Sequence, residues 1–133
     1  MWKFVIGIVL IAHGIGHSMG ILGLFKVAEV NPAWHGESWL LSDVAGALLT
    51  QVAGATLWSI AMIGFIALGL VAFGWLPAAW WQPLAIVSSI ASLAGVVLFP
   101  VAFPTISTIA AAVVDLAVLY AAFTGWTPAD LAA

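Results

Sequence analysis

The sequence predicts an all-α protein, a transmembrane antiparallel four-helix bundle, and three observations carry that reading. Hydrophobic residues make up 65% of the 133 residues and charged ones 5%, with a mean hydropathy of +1.27. A soluble domain of this size has too little interior to hide so much apolar surface, so the bilayer must act as solvent. The apolar residues fall into four runs long enough for a hydrocarbon core of about 30 Å. Between the runs stand the breakers Asn31-Pro32, Pro77 and Pro100 to Pro104. Four spans, at about 4–25, 53–76, 80–99 and 105–123, use nearly the whole length and leave one domain, 1–133.

The first span is bracketed by Lys3 and Lys26, which lie about 35 Å apart along a helix and so reach both interfaces. Met1-Trp2-Lys3 and the run behind it resemble a signal peptide, but the run is longer than a signal core and reads as a membrane helix. A polar loop with Glu29, His35, Glu37 and Asp43 follows. Ser42-Asp43 looks like a helix start, with Ser42 as N-cap. From Asp43 to Leu76 no strong stop occurs, and an unbroken helix there would reach about 50 Å. A break near Gly54 is expected, with a shallow interfacial helix before the second span; one long, tilted helix is the alternative. Pro77 ends this span. Trp80, Trp81 and Pro83 open the third, and the tight Pro100–Pro104 connection pairs it with the fourth, capped by Thr105 or Ser107.

With four crossings, Trp2, Trp75, Trp80, Trp81 and Trp126 fall on one membrane face as interface anchors, and Trp34, Trp39 and Trp58 on the other. Lys3 shares its face with the terminal amine, while Lys26 lies among three acids. The positive-inside rule then puts both termini in the cytoplasm.

Composition excludes several function classes. Two basic residues cannot make a nucleic-acid footprint or grip anionic lipid. Cysteine is absent, which removes disulfides, Fe–S clusters and thiol chemistry. There is no nucleophile elbow, Gly-rich phosphate loop, HExxH or carboxylate pair.

What remains is a set of ionisable groups in apolar runs, which are functional candidates by default. Asp115 is the sole charge in the fourth span; His13 and His17 sit near the middle of the first. At 1.5 Å per residue, His17 lies about 14 Å and His13 about 20 Å below Lys26, and Asp115 about 16 Å below Pro104. The three are level, and the first and last helices of an up-and-down bundle are neighbours. Three seams of small or polar residues are expected to face inward: His13, Gly16, His17, Gly20 and Gly23; Trp81, Ala85, Ser88, Ser92 and Gly95; Thr108, Ala111, Ala112 and Asp115. Ser88, Ser89 and Ser92 can equally bond back to their own helix.

Three readings of the cluster compete. In the first it is a structural polar latch between the first and fourth helices, joined by Ser88 and Ser92. In the second, His13, His17 and Asp115 hold a metal ion, or one histidine holds haem or a pigment. In the third it is a proton path in a small carrier. His35 and Glu37 read as solvated loop residues.

Ala12-His13-Gly14-Ile15-Gly16-His17-Ser18-Met19-Gly20 resembles the first helix of small bacterial four-helix membrane proteins with no assigned activity. Leu57-Trp58, Trp80-Trp81 and Phe103-Pro104-Thr105-Ile106 are similar too. The layout is also similar to the DoxX-like proteins, a family linked with oxidoreductase partners, although the histidine pair at the end of the first motif departs from the DoxX pattern. The resemblance implies a four-helix fold, a bacterial inner membrane and a redox partner. The expected function is therefore a non-catalytic accessory subunit of a larger membrane complex, or an oligomer. Its expected contacts are lipid, other membrane subunits or copies of itself, and lipophilic molecules, but no nucleic acid.

Overall fold

Tight reversals at Lys26, Gly74 and Pro100–Pro104 divide the chain into four helices, as seen in a computed structural model that describes residues 1–128 and 130. They are α1 (Trp2–Leu24), α2 (Leu41–Phe73), α3 (Trp81–Leu98) and α4 (Thr105–Phe123), with a 3-10 turn at Ala78–Trp80 before α3. The described residues contain no strand. Each of the four helices is long and apolar enough to cross a membrane, and the chain is a membrane protein with an all-α, four-helix architecture.

The expected break in the second span lies elsewhere. Gly54 is helical, and a methyl group there would meet the Phe99 ring at 3.0 Å. The non-helical residue is Gly46, at φ 77° and ψ 171°, in a region that only glycine occupies without strain. One turn precedes it. The rest of α2 runs about 40 Å, which favours the long, tilted alternative over an interfacial helix and a short span. No atom stands within 4 Å of a Cβ added at Gly46, so substitution there isolates the backbone cost. Gly46→Ala is expected to lower unfolding stability by about 1–2 kcal/mol, read from thermal unfolding in detergent micelles.

The α2 start shifts and the α4 start holds without its expected side-chain cap. Ser42 lies inside α2, and its Oγ accepts the Ser38 N–H at 2.9 Å. Ser38 does the capping: its Oγ accepts the Leu41 N–H at 3.2 Å. α4 begins at Thr105 behind Pro104 without a side-chain cap from Thr105 or Ser107. α2 stops at Phe73, before Pro77, because Gly74 turns left-handed at φ 79°. There the Gly74 and Trp75 N–H groups bond back to Val71 O and Leu70 O, both at 2.9 Å. This closes the orphan carbonyls of the last turn.

The α1–α2 loop is fastened to the far end of the hairpin formed by α3 and α4. Ser38 Oγ donates to Leu98 O at 2.7 Å and Trp39 Nε1 to Val97 O at 2.7 Å, satisfying carbonyls at the end of α3. Asn31 Nδ2 donates to Val101 O at 2.8 Å. Beneath the loop, Leu24, Trp34, Trp58, Phe99 and Ala102 form one apolar cluster. A second, around Phe65, Leu68, Trp81, Ala85 and Val118, fills the opposite half.

Among the expected anchors, Trp2, Trp75 and Trp80 are exposed and Trp126 half-buried. Trp81 is not on display: it is 3% exposed, packed edge-on to Trp126 at 6.1 Å. Its place at the inward seam of α3 outweighs its place at the helix end. On the other side, Trp39 is exposed while Trp34 and Trp58 are buried.

The helices pack in chain order: α1 on α2, α2 on α3, α3 on α4. The α3 seam faces inward as expected, with Trp81, Ala85, Ser88, Ser92 and Gly95 all buried. The α1 face is rotated from expectation. Gly7, Leu10, Gly14, His17, Gly20 and Leu24 are its buried residues, whereas Gly16 is exposed. Gly14 lies close against α2 backbone, since a Cβ there would lie 2.8 Å from the Met62 carbonyl oxygen. The first and last helices, expected to be packed neighbours, have little close backbone contact. Side chains bridge the space between them.

Candidate functional site

Four residues apart on α1, His13 and His17 share one helix face. Their rings stand edge to face, with centroids 4.8 Å apart. Asp115 on α4 and Ser92 on α3, both wholly buried, reach them from the other side. His13 Nε2 lies 2.9 Å from Asp115 Oδ1, and Ser92 Oγ donates to Asp115 Oδ2 at 2.6 Å. His17 Nε2 lies 3.2 Å from Ser92 Oγ and 3.4 Å from His13 Nε2. Phe65 of α2 packs edge-on to His13 at 4.4 Å and stacks along His17 at 6.1 Å. All four helices therefore meet at this cluster.

The hydrogen-bond directions follow from counting protons, taking Asp115 as the carboxylate. The Ser92 hydroxyl proton goes to Asp115, so Ser92 Oγ is free to accept from His17 Nε2–H. His13 Nε2–H then donates to Oδ1. The carboxylate has a donor on each oxygen, as a polar group this deep requires. With Nε2 of both rings engaged, each Nδ1 is left as an acceptor with no partner among the described residues.

The structure thus brings together His13, His17, Ser92 and Asp115, and leaves Ser88 out. Ser88 Oγ bonds back to Leu84 O in its own helix at 2.6 Å. It faces Gly64, where a side chain would overlap it. Ser89 Oγ, by contrast, is buried with no partner. His35 and Glu37 stay exposed in the loop, apart from the cluster. Sequence reasoning missed Phe65. Its position in the buried series Ala61, Phe65, Leu68 and Ala72 was a readable signal of an inward face.

Ser92→Ala removes one carboxylate donor and leaves His17 Nε2 without its acceptor. A loss of about 1–2 kcal/mol is expected, against a smaller change for Ser88→Ala. Parallel unfolding curves of the two variants test the contrast.

A cleft flanks the cluster. Where α1 and α4 stand apart, a cavity of about 300 Å³ is lined by His13, Gly16, His17, Phe103, Ala111 and Val114, among others. Farther along the same seam, a second cavity of about 350 Å³ runs past Val9, Leu10, Val114 and Ala121 to Trp2 and Trp126.

The donor set also suits a cation. One ligand atom each from His13, His17 and Asp115 lies within 4.8 Å of the others. Comparison of the chain with protein-family models, curated proteins and solved structures gives no match.

Proposed function

We propose that the chain is a non-catalytic subunit of a larger membrane assembly, or a self-associating bundle, with His13, His17, Ser92 and Asp115 as its internal latch. The supporting observation is the closed hydrogen-bond set on Asp115. Its two oxygens take donors from α1 and α3, which ties α4 both to α3, on which it packs, and to α1, with which it has little close backbone contact. Both carboxylate oxygens, the Ser92 hydroxyl and both Nε2 atoms are engaged within the latch, as a structural role requires.

The outer faces supply the contact surface. Val5, Ile8, Ile63, Ile109, Val113 and Leu116 are exposed apolar side chains on membrane-crossing helices, suited to lipid and to other helices. The resemblance to DoxX-like proteins supports a redox setting for the partner and a bacterial inner membrane, and the lysine placement supports cytoplasmic termini.

Gentle extraction from native membranes tests the proposal. Larger membrane proteins, or further copies of the chain, are expected to co-purify at fixed stoichiometry and without colour. A monodisperse single chain in native mass spectra would count against it.

One observation favours a second reading, a bound transition metal. The two Nε2 atoms are 3.4 Å apart, and the edge of a tetrahedral site with metal–nitrogen bonds of about 2.0–2.1 Å is about 3.3–3.4 Å. Ser92 would then orient the Asp115 carboxylate from behind. Stoichiometric metal, haem or pigment in purified protein, lost in His17→Ala, would replace the latch by this reading.

A further inference from the structure

The cleft between α1 and α4 carries an inference beyond the latch. Other close helix pairs fill their contacts: a methyl group at Gly14 or Gly69 would strike backbone across the α1–α2 interface, and one at Gly20 or Gly95 would strike Trp58. At Gly16, on the cleft side of α1, nothing lies within 4 Å. The opposite wall is also lined by small residues, Ala110 and Ala111 of α4. Small residues in membrane helices normally permit close packing. Here they face each other across a space of about 300 Å³.

The floor of that space is polar. His13 and His17 both line it, and His17 is 4% exposed. Each ring is bonded through Nε2, so each offers the lone pair of Nδ1. Such a site complements a hydrogen-bond donor, not an acceptor. The donor must be uncharged, because an ion would enter from lipid at a cost of several kcal/mol. Toward Trp2 and Trp126 the cleft continues as the second cavity, sharing Val114 with the first. From Gly16 to Trp2 it follows about 21 Å of helix, enough for an extended chain of a dozen or more carbons.

We propose that the α1–α4 cleft binds one neutral, single-tailed amphiphile with a hydroxyl head, an alkyl phenol or long-chain alcohol. The hydroxyl donates to Nδ1 of His13 or His17, and the tail lies along the seam toward Trp2 and Trp126. The inference rests on the hydrogen-bond directions of the latch. Those are read independently, from the stability of Asp115→Asn without any added ligand.

The test uses the full chain in detergent micelles with 4-dodecylphenol and its methyl ether, 4-dodecylanisole, which keeps the tail and ring but has no donor. Native mass spectra and thermal unfolding are read at matched mole fractions. One phenol per chain is expected, bound at least ten-fold more tightly than the ether and raising the unfolding temperature. Gly16→Leu, which fills the cleft from α1, abolishes binding while retaining native helicity. Ala110→Leu fills it from α4 and serves where the first variant does not fold. Equal binding of phenol and ether, or phenol binding unchanged in a folded cleft-filling variant, overturns the proposal; in the first case the cleft is merely filled by apolar chains.

Discussion

Asp115→Ala is expected to lower the unfolding free energy in detergent by about 3 kcal/mol, the scale at which one partner of a buried hydrogen-bonded charge is removed. The substitution takes two acceptors from a wholly buried position. His13 loses the 2.9 Å contact and Ser92 the 2.6 Å contact. Single interhelical hydrogen bonds in membranes are worth less, about 0.6 kcal/mol on average. The larger figure follows because two donors are orphaned together, on separate helices. Asp115→Asn keeps the size and one oxygen acceptor and should fall between wild type and alanine. A double-mutant cycle with His13→Ala isolates the bridge between α1 and α4. Additivity of the two changes would show that this bridge contributes nothing.

Gly14→Leu is expected to be as damaging, for a steric reason. A Cβ at Gly14 would sit 2.8 Å from Met62 O and 3.0 Å from Ile66 N, both backbone atoms of α2. Backbone cannot swing aside as a side chain can, so α1 and α2 must separate along their contact. Overpacking of this kind costs about 1–3 kcal/mol, and a four-carbon side chain belongs at the upper end. Gly16→Leu is the matched control, two residues away on an open face, and should unfold within a few tenths of a kcal/mol of wild type. Unfolding curves for the two leucine variants, measured side by side, decide the matter. Equal stabilities would mean that Gly14 is not the contact point.

The contrast between these glycines shows where the sequence was legible. Composition and run length placed four spans, because the bilayer makes one demand of every residue in a run. Helical rise alone placed His13, His17 and Asp115 at one depth. The inward seam of α3 was readable because its serines, Ala85 and Gly95 differ sharply from the valines and leucines around them. On α1 the pattern is ambiguous. Gly7, Gly14, Gly16, Gly20 and Gly23 surround the helix, and which glycines meet a neighbour depends on that neighbour's own surface. The break at Gly46 instead of Gly54 has a similar cause, since both are glycines in a helix-forming context and only packing against Phe99 and Leu24 separates them. Trp81 belongs to two patterns at once, the helix end and the inward seam, and its burial shows that the seam prevails. Ser92 could be assigned to the cluster, rather than to its own helix as Ser88 was, only once α4 was in place.

The bridge from His13 to Asp115 joins residues 102 positions apart. During synthesis α1, α2 and α3 are made first, and His13, His17 and Ser92 are already in the chain when α4 emerges. Until then His13 and Ser92 lack their carboxylate. The network therefore closes in a single late event, the arrival of α4, which brings the one carboxylate that joins α1 to α3.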